Sequence, residues 1–143
     1  MADSVLPEAA VAGIAAPRVI PTKTWRVTLG DDDHAGRISM EEIDGIEAVG
    51  QAAMLALLTV RFKTLIFGPQ YGSEIESIIA WDYAPQELVT SELQRTIRDT
   101  LSVDTRITQI GSIDVTFKDD CAYVTVPLET IYGDTSVTVP IQV

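Results

Sequence analysis

From Ala48 to Val60 the chain reads AVGQAAMLALLTV, a run with no charged residue. Just before it, Asp44-Gly45-Ile46-Glu47 has the spacing of a capping box, in which each end's side chain satisfies an orphan amide of the other. The pattern predicts a helix from there to about Phe62, with Arg61 and Lys63 at the end where cations favour the helix dipole. Such a helix is apolar nearly all round. A chain of 143 residues rarely encloses a whole helix. Either one face packs on the chain's own core and another on a second chain, or the rest of the fold wraps the helix completely. Ala48, Ala52 and Ala56, at spacing four, would let a neighbouring helix approach closely.

Residues 1–22 are rich in Ala, Val and Pro, with Pro7, Pro17 and Pro21 set against any continuous helix. They read as an extended arm, apolar enough to lie against something. Residues 23–143 read as a single domain. Thr24–Leu29 alternates Trp25, Val27 and Leu29 with polar residues, the period of a strand. A turn-rich acidic loop, Gly30 to Gly36, follows. After the long helix, Leu65–Phe67 leads into the turn Gly68–Gly72. Ser73 and Glu76 repeat the capping-box spacing and predict a short helix to about Ala80. Pro85 and Glu87 suit the first turn of a third helix, in which Val89, Leu93, Ile97 and Leu101 form one apolar stripe. Glu92, Arg95, Arg98 and Asp99 occupy its polar face, within pairing distance.

The last third alternates as strands do. Ile113, Val115 and Phe117 precede a turn at Lys118-Asp119-Asp120, and Ala122, Val124, Val126 and Leu128 line the return strand. Beyond a turn at Gly133-Asp134, Val137, Val139, Ile141 and Val143 predict a final strand reaching the last residue. Pro127 and Pro140 cannot donate to a ladder, so they favour edges or bulges. The final strand is therefore expected at an edge, open to pairing with another protein. Helices followed by a β meander give an α+β fold with segregated elements.

The chemistry the chain can support is limited. With 10 Lys and Arg against 21 Asp and Glu, a net charge of −11 repels phosphate backbones and argues against nucleic acid. No segment reaches the roughly 18 apolar residues of a membrane span. The N-terminus lacks a signal peptide's positive region. A soluble protein, cytosolic or assembled into a larger particle, is expected. Cys121, the single cysteine, cannot form an intrachain disulfide, and pairing it with the single His34 for nucleophilic catalysis has no supporting elbow motif. Asp31-Asp32-Asp33-His34 lacks the ligand spacing of a calcium loop or a zinc site. No phosphate-cradling glycine motif occurs, and no cofactor is expected. Glu41, Glu42, Asp44, Glu74, Glu76 and Asp82 could supply a glycosidase pair, but capping explains several of them and an acidic chain always offers such pairs. No residue is assigned a catalytic role.

Ile43 to Ile79 reads IDGIEAVGQAAMLALLTVRFKTLIFGPQYGSEIESII, followed by ELQRTI at 92–97 and TIYGD at 130–134. This order resembles the sheath-initiator family of contractile tails, the small "lysozyme-like" baseplate wedge proteins, especially the branch of PBSX-type particles and R-type bacteriocins. The shared features are the IDG-x-EAV helix start, the Arg61-Phe62-Lys63 step, the Tyr71-Gly72 turn and the late Ile-Tyr-Gly-Asp turn. They span most of the chain from Trp25 onwards. A more distant branch carries Glu-Pro-Arg where this chain has Phe67-Gly68-Pro69-Gln70, so that branch's wedge contacts are not carried over.

The resemblance implies a structural, non-enzymatic protein of the virion's tail baseplate, assembled in the host cytoplasm. It implies six copies around the tail tube, bound to baseplate wedge proteins and to the tail sheath subunit. Carried onto this chain, sheath strand pairing falls on Val137, Val139 and Ile141, and wedge helix packing on Ala48, Ala52, Leu55 and Ala56. The alternatives are a lysozyme-like peptidoglycan hydrolase, using Glu74 or Glu76, and a tail adaptor ring without sheath contact.

Overall fold

The valine-rich alternation of the last third builds the sheet on which the helices pack. The computed structural model describes residues 21–30, 36–81 and 83–142. Residues 1–20 of the arm, the Asp31-Asp32-Asp33-His34 cluster, Asp82 and Val143 lie outside them. In chain order the elements are β1 (Thr24–Thr28), β2 (Arg37–Ile43), α1 (Gly45–Leu58), α2 (Ile75–Ile79), α3 (Gln86–Leu101), β3 (Ile107–Ile110), β4 (Asp114–Lys118), β5 (Cys121–Thr130) and β6 (Gly133–Gln142). The fold is α+β.

β5 is the axis of a four-stranded antiparallel sheet. β6 pairs with it from Cys121↔Gln142 to Thr130↔Gly133. On the other side β4 pairs with the first half of β5 and β3 with its last residues. Pro127 sits in the gap between those two partners, where its missing N–H leaves no ladder bond unmade. Gly111 spans the gap and donates its amide to the Pro127 carbonyl at 2.8 Å. A Cβ on Gly111 would meet the Pro127 ring at 2.8 Å, so this approach requires glycine. The final turn is Ile131-Tyr132, two residues before the expected position, and Gly133 opens β6 with φ +127°.

One face of this sheet carries the core. Val124, Val126, Leu128, Val137 and Val139 meet Ala53 and Leu57 of α1, Ile75 and Ile78 of α2, and Leu93, Ile97 and Leu101 of α3. Leu93 and Ile97 are completely buried, each contributing about 1.5–3 kcal/mol of transfer free energy. The apolar stripe expected on α3 is the one buried, with Val89 half-buried at its start. Arg95 pairs on the outer face with Glu92 and Asp99.

α1 ends at Leu58, a turn earlier than its sequence predicts. Thr59 adopts an extended conformation and returns both its amide and its hydroxyl to the Leu55 carbonyl. Val60 then bridges Ser73 in parallel. Arg61 and Lys63 consequently lie beyond the helix end. Arg61 donates to the Gly72 carbonyl at 3.0 Å, and Lys63 stands 3.7 Å from Glu76. Neither capping box forms. Asp44 accepts from its neighbour Gly45 at 2.8 Å and from the Thr22 hydroxyl, bonds that hold its carboxyl below the usual range. Glu47 turns instead to Arg26, a charge-assisted partner on β1. Ser73 is buried and donates to the Leu57 carbonyl at 2.6 Å, serving the end of α1 rather than the start of α2.

Two strands escape the sequence pattern. β2 pairs with β1 in a separate two-stranded sheet, in which Arg26 is bonded to Glu41 at 2.8 Å. Its Ile38 and Met40 alternate with polar residues but are exposed, and only Ile43 is buried, so no buried apolar face marks it. β3 is four residues long and only half-buried.

Candidate assembly surfaces

Among the described residues β6 pairs with β5 alone, so its other edge is open along the whole strand. The direction of its main chain follows from two prolines. Pro127 stands opposite Ser136, and its carbonyl points away from β6 to Gly111. Carbonyl and nitrogen of one strand residue point to the same side, so the Pro127–Ser136 pair exchanges no bond and Ser136 turns its main-chain groups outward. The alternation carries this to Asp134, Thr138, Pro140 and Gln142. Pro140 removes one donor from the open edge and none from the ladder.

The candidate strand residues behave differently as side chains. Val137 and Val139 are 7 % and 1 % exposed, packed into the chain's own core, and Ile141 is partly buried against it. The open edge therefore offers main chain, flanked by the exposed side chains of Ser136, Thr138 and Pro140. This edge forms one wall of a groove of about 540 Å³. Arg26–Leu29 of β1 form the other wall, and Ile46, Gly50 and Met54 of α1 the floor. Gln51 ties β1 to α1: it accepts from the Val27 amide at 2.8 Å and donates to the Trp25 carbonyl at 2.9 Å.

α1 is not wrapped completely. Ala53 and Leu57 face the core, whereas Ala52, Leu55 and Ala56 are half-buried and Leu58 is exposed. Ala52 and Ala56 line a second groove, of about 400 Å³, between α1, the turn Gly68–Gly72 and the segment Val103–Ile107. Arg106 grips Asp104 through two bonds, at 2.6 and 2.9 Å, so this charged pair beside the groove is internally neutralised. Ala48 is only 2 % exposed and is covered by the chain itself. Leu55 lies outside the groove lining. The loop after α1 adds exposed Phe62, Leu65 and Ile66.

Sequence reasoning missed Gln51, Ser136 and Thr138. The parity of Pro127 and Pro140 could have identified the outward-facing positions, but the role of Gln51 depends on a long-range contact that no local pattern encodes. Of the carboxylates considered for hydrolysis, Glu74 lies 3.9 Å from Arg61 and Glu76 lies 3.7 Å from Lys63.

Comparison with known proteins follows the same segments. The family described as contractile injection system sheath initiator matches residues 24–133. The protein XkdS of the phage-like element PBSX of Bacillus subtilis (strain 168) is 28% identical over 102 residues, covering 71% of this chain and 72% of that protein.

Proposed function

The chain belongs to the sheath-initiator family of contractile injection systems, structural components of the contractile tail, and from that premise we propose that it links the baseplate wedge to the sheath and templates the first sheath ring by strand addition. The observation that carries this reading is the β6 edge, open along the strand with alternate main-chain groups directed outward. An incoming strand gains register from those groups, while Val137, Val139 and Ile141 hold β6 itself against the core. The groove beside Ala52 and Ala56, with Leu55 on the adjoining helix surface, is the wedge-facing side. Its small side chains admit a close apolar contact.

In this reading residues 23–143 are the baseplate domain and residues 1–22 an accompanying arm. Six copies around the tail tube turn a weak single contact into an avid ring, in the virion and after assembly in the host cytoplasm. Affinity capture of the tagged chain from cells producing its particle, with bound proteins identified by mass spectrometry, tests it. Recovery of sheath and wedge subunits together supports the junction; recovery of neither overturns it.

A further inference from the structure

The groove has two strand walls, and main-chain groups of one of them already have a side-chain partner. In a parallel ladder, one residue donates to a carbonyl on the neighbouring strand and accepts from the amide two residues further along. The Gln51 side chain does this to β1: Nε2 donates to the Trp25 carbonyl and Oε1 accepts from the Val27 amide, bracketing Arg26. It occupies the main-chain positions an inserted strand would use. Across the groove, the outward groups of Ser136 and Thr138 have no such side-chain partner among the described hydrogen bonds. We infer that Gln51 is the positioning residue of this groove, closing the inner edge of β1 so that a partner strand is admitted along β6 only.

The inference rests on the strand-addition reading for its partner, a strand of the sheath subunit, but not for its effect on the free protein. Two unsatisfied edges facing one groove would capture strands without choice of side. A side-chain amide anchored on α1 closes one edge without adding a strand. It also fixes the hairpin at a set distance from β6, helped by the Arg26–Glu47 pair at 3.1 Å.

Residue-resolved amide hydrogen exchange on the full chain, alone and with purified sheath subunit of the same particle, tests this. In the free protein, Gln51→Ala should speed exchange at Val27 about tenfold, the loss of one hydrogen bond. Gln51→Glu keeps the acceptor and should leave the Val27 amide slow, an outcome that loss of helix packing would not produce. With sheath subunit added, Ser136 and Thr138 should become protected in the wild type while Val27 is unchanged. In Gln51→Ala, Val27 should regain protection as the opened edge takes a strand. Equal Val27 exchange in the free wild type and Gln51→Ala overturns the inference, as does a Val27 amide that stays fast in Gln51→Ala when sheath is bound. If Ser136 and Thr138 gain no protection in any variant, strand addition fails, and the free proteins still decide the role of Gln51.

Discussion

Pro127 and Ser136 stand opposite one another across the β5–β6 ladder with their main-chain groups turned apart. Pro127 looks toward Gly111, inside the sheet, and Ser136 looks outward from its edge. One proline thus fixes which half of the β6 backbone is available to a partner. The alternation then makes Thr138 an outward position as well.

Thr138→Pro follows directly. It removes an outward donor and leaves the β5–β6 bonds intact, as Pro140 already does two residues on. The exposed hydroxyl contact with Thr125 at 3.2 Å is lost, a cost of about 0.5–1.5 kcal/mol. Thermal unfolding should shift by a few degrees at most. Sheath subunit captured from particle-producing cells should fall to background, with wedge subunit unchanged. Normal sheath recovery would refute pairing along this edge.

The second groove gives the reciprocal case. Ala56→Trp places a large ring where Ala52, Ala56 and Tyr71 leave space. The side chain is half-buried and opens on the groove, so the fold should tolerate it better than a substitution in the sealed core. Capture should lose the wedge subunit and retain the sheath subunit, the reverse of Thr138→Pro. If both partners are retained, the wedge contact lies elsewhere on the surface.

These two surfaces were unequally legible in the sequence. α3 and the β5–β6 pair were readable because their apolar periodicity is satisfied by burial on one face. β2 was not, because its Ile38 and Met40 point to solvent and pairing with β1 holds it in place. The capping boxes failed for a related reason: Glu47 and Ser73 found stronger tertiary partners in Arg26 and the Leu57 carbonyl. The charge-free stretch did indicate a helix, but left open whether its own domain wraps it completely, and the structure leaves one side half-buried. It could not indicate that Ala48 is enclosed while Ala52 and Ala56 line a groove, since that depends on where the Gly68–Gly72 turn folds back.

Acid should weaken the corner beside the second groove. Burial alone would raise the Asp104 carboxyl, but the Arg106 hydrogen bonds outweigh it and hold the group below its ordinary range. A depressed carboxyl contributes stability above its unfolded pKa of about 4, and that contribution is lost as pH falls through the lower folded value. Asp104→Asn should therefore be less stable than the wild type at pH 7, with the difference shrinking toward pH 2. Urea denaturation at both pH values reads this. A difference that stays constant would mean that the ionised pair adds nothing.

Val139→Thr separates main-chain from side-chain recognition. The two side chains are nearly equal in volume, so the β6 backbone keeps its place. Val139 is 1 % exposed, however, and the new hydroxyl enters the core with its hydrogen-bonding capacity unmet, at about 1–3 kcal/mol. Unfolding should occur at clearly lower denaturant than for Thr138→Pro. Well below the transition, sheath capture should remain at the wild-type level, because the outward groups of Ser136 and Thr138 are untouched. Deleting the whole strand cannot make this distinction, since it strips Val137 and Val139 from the core along with the edge. Loss of sheath capture in a folded Val139→Thr protein would assign specificity to the valine side chain and overturn recognition through the backbone.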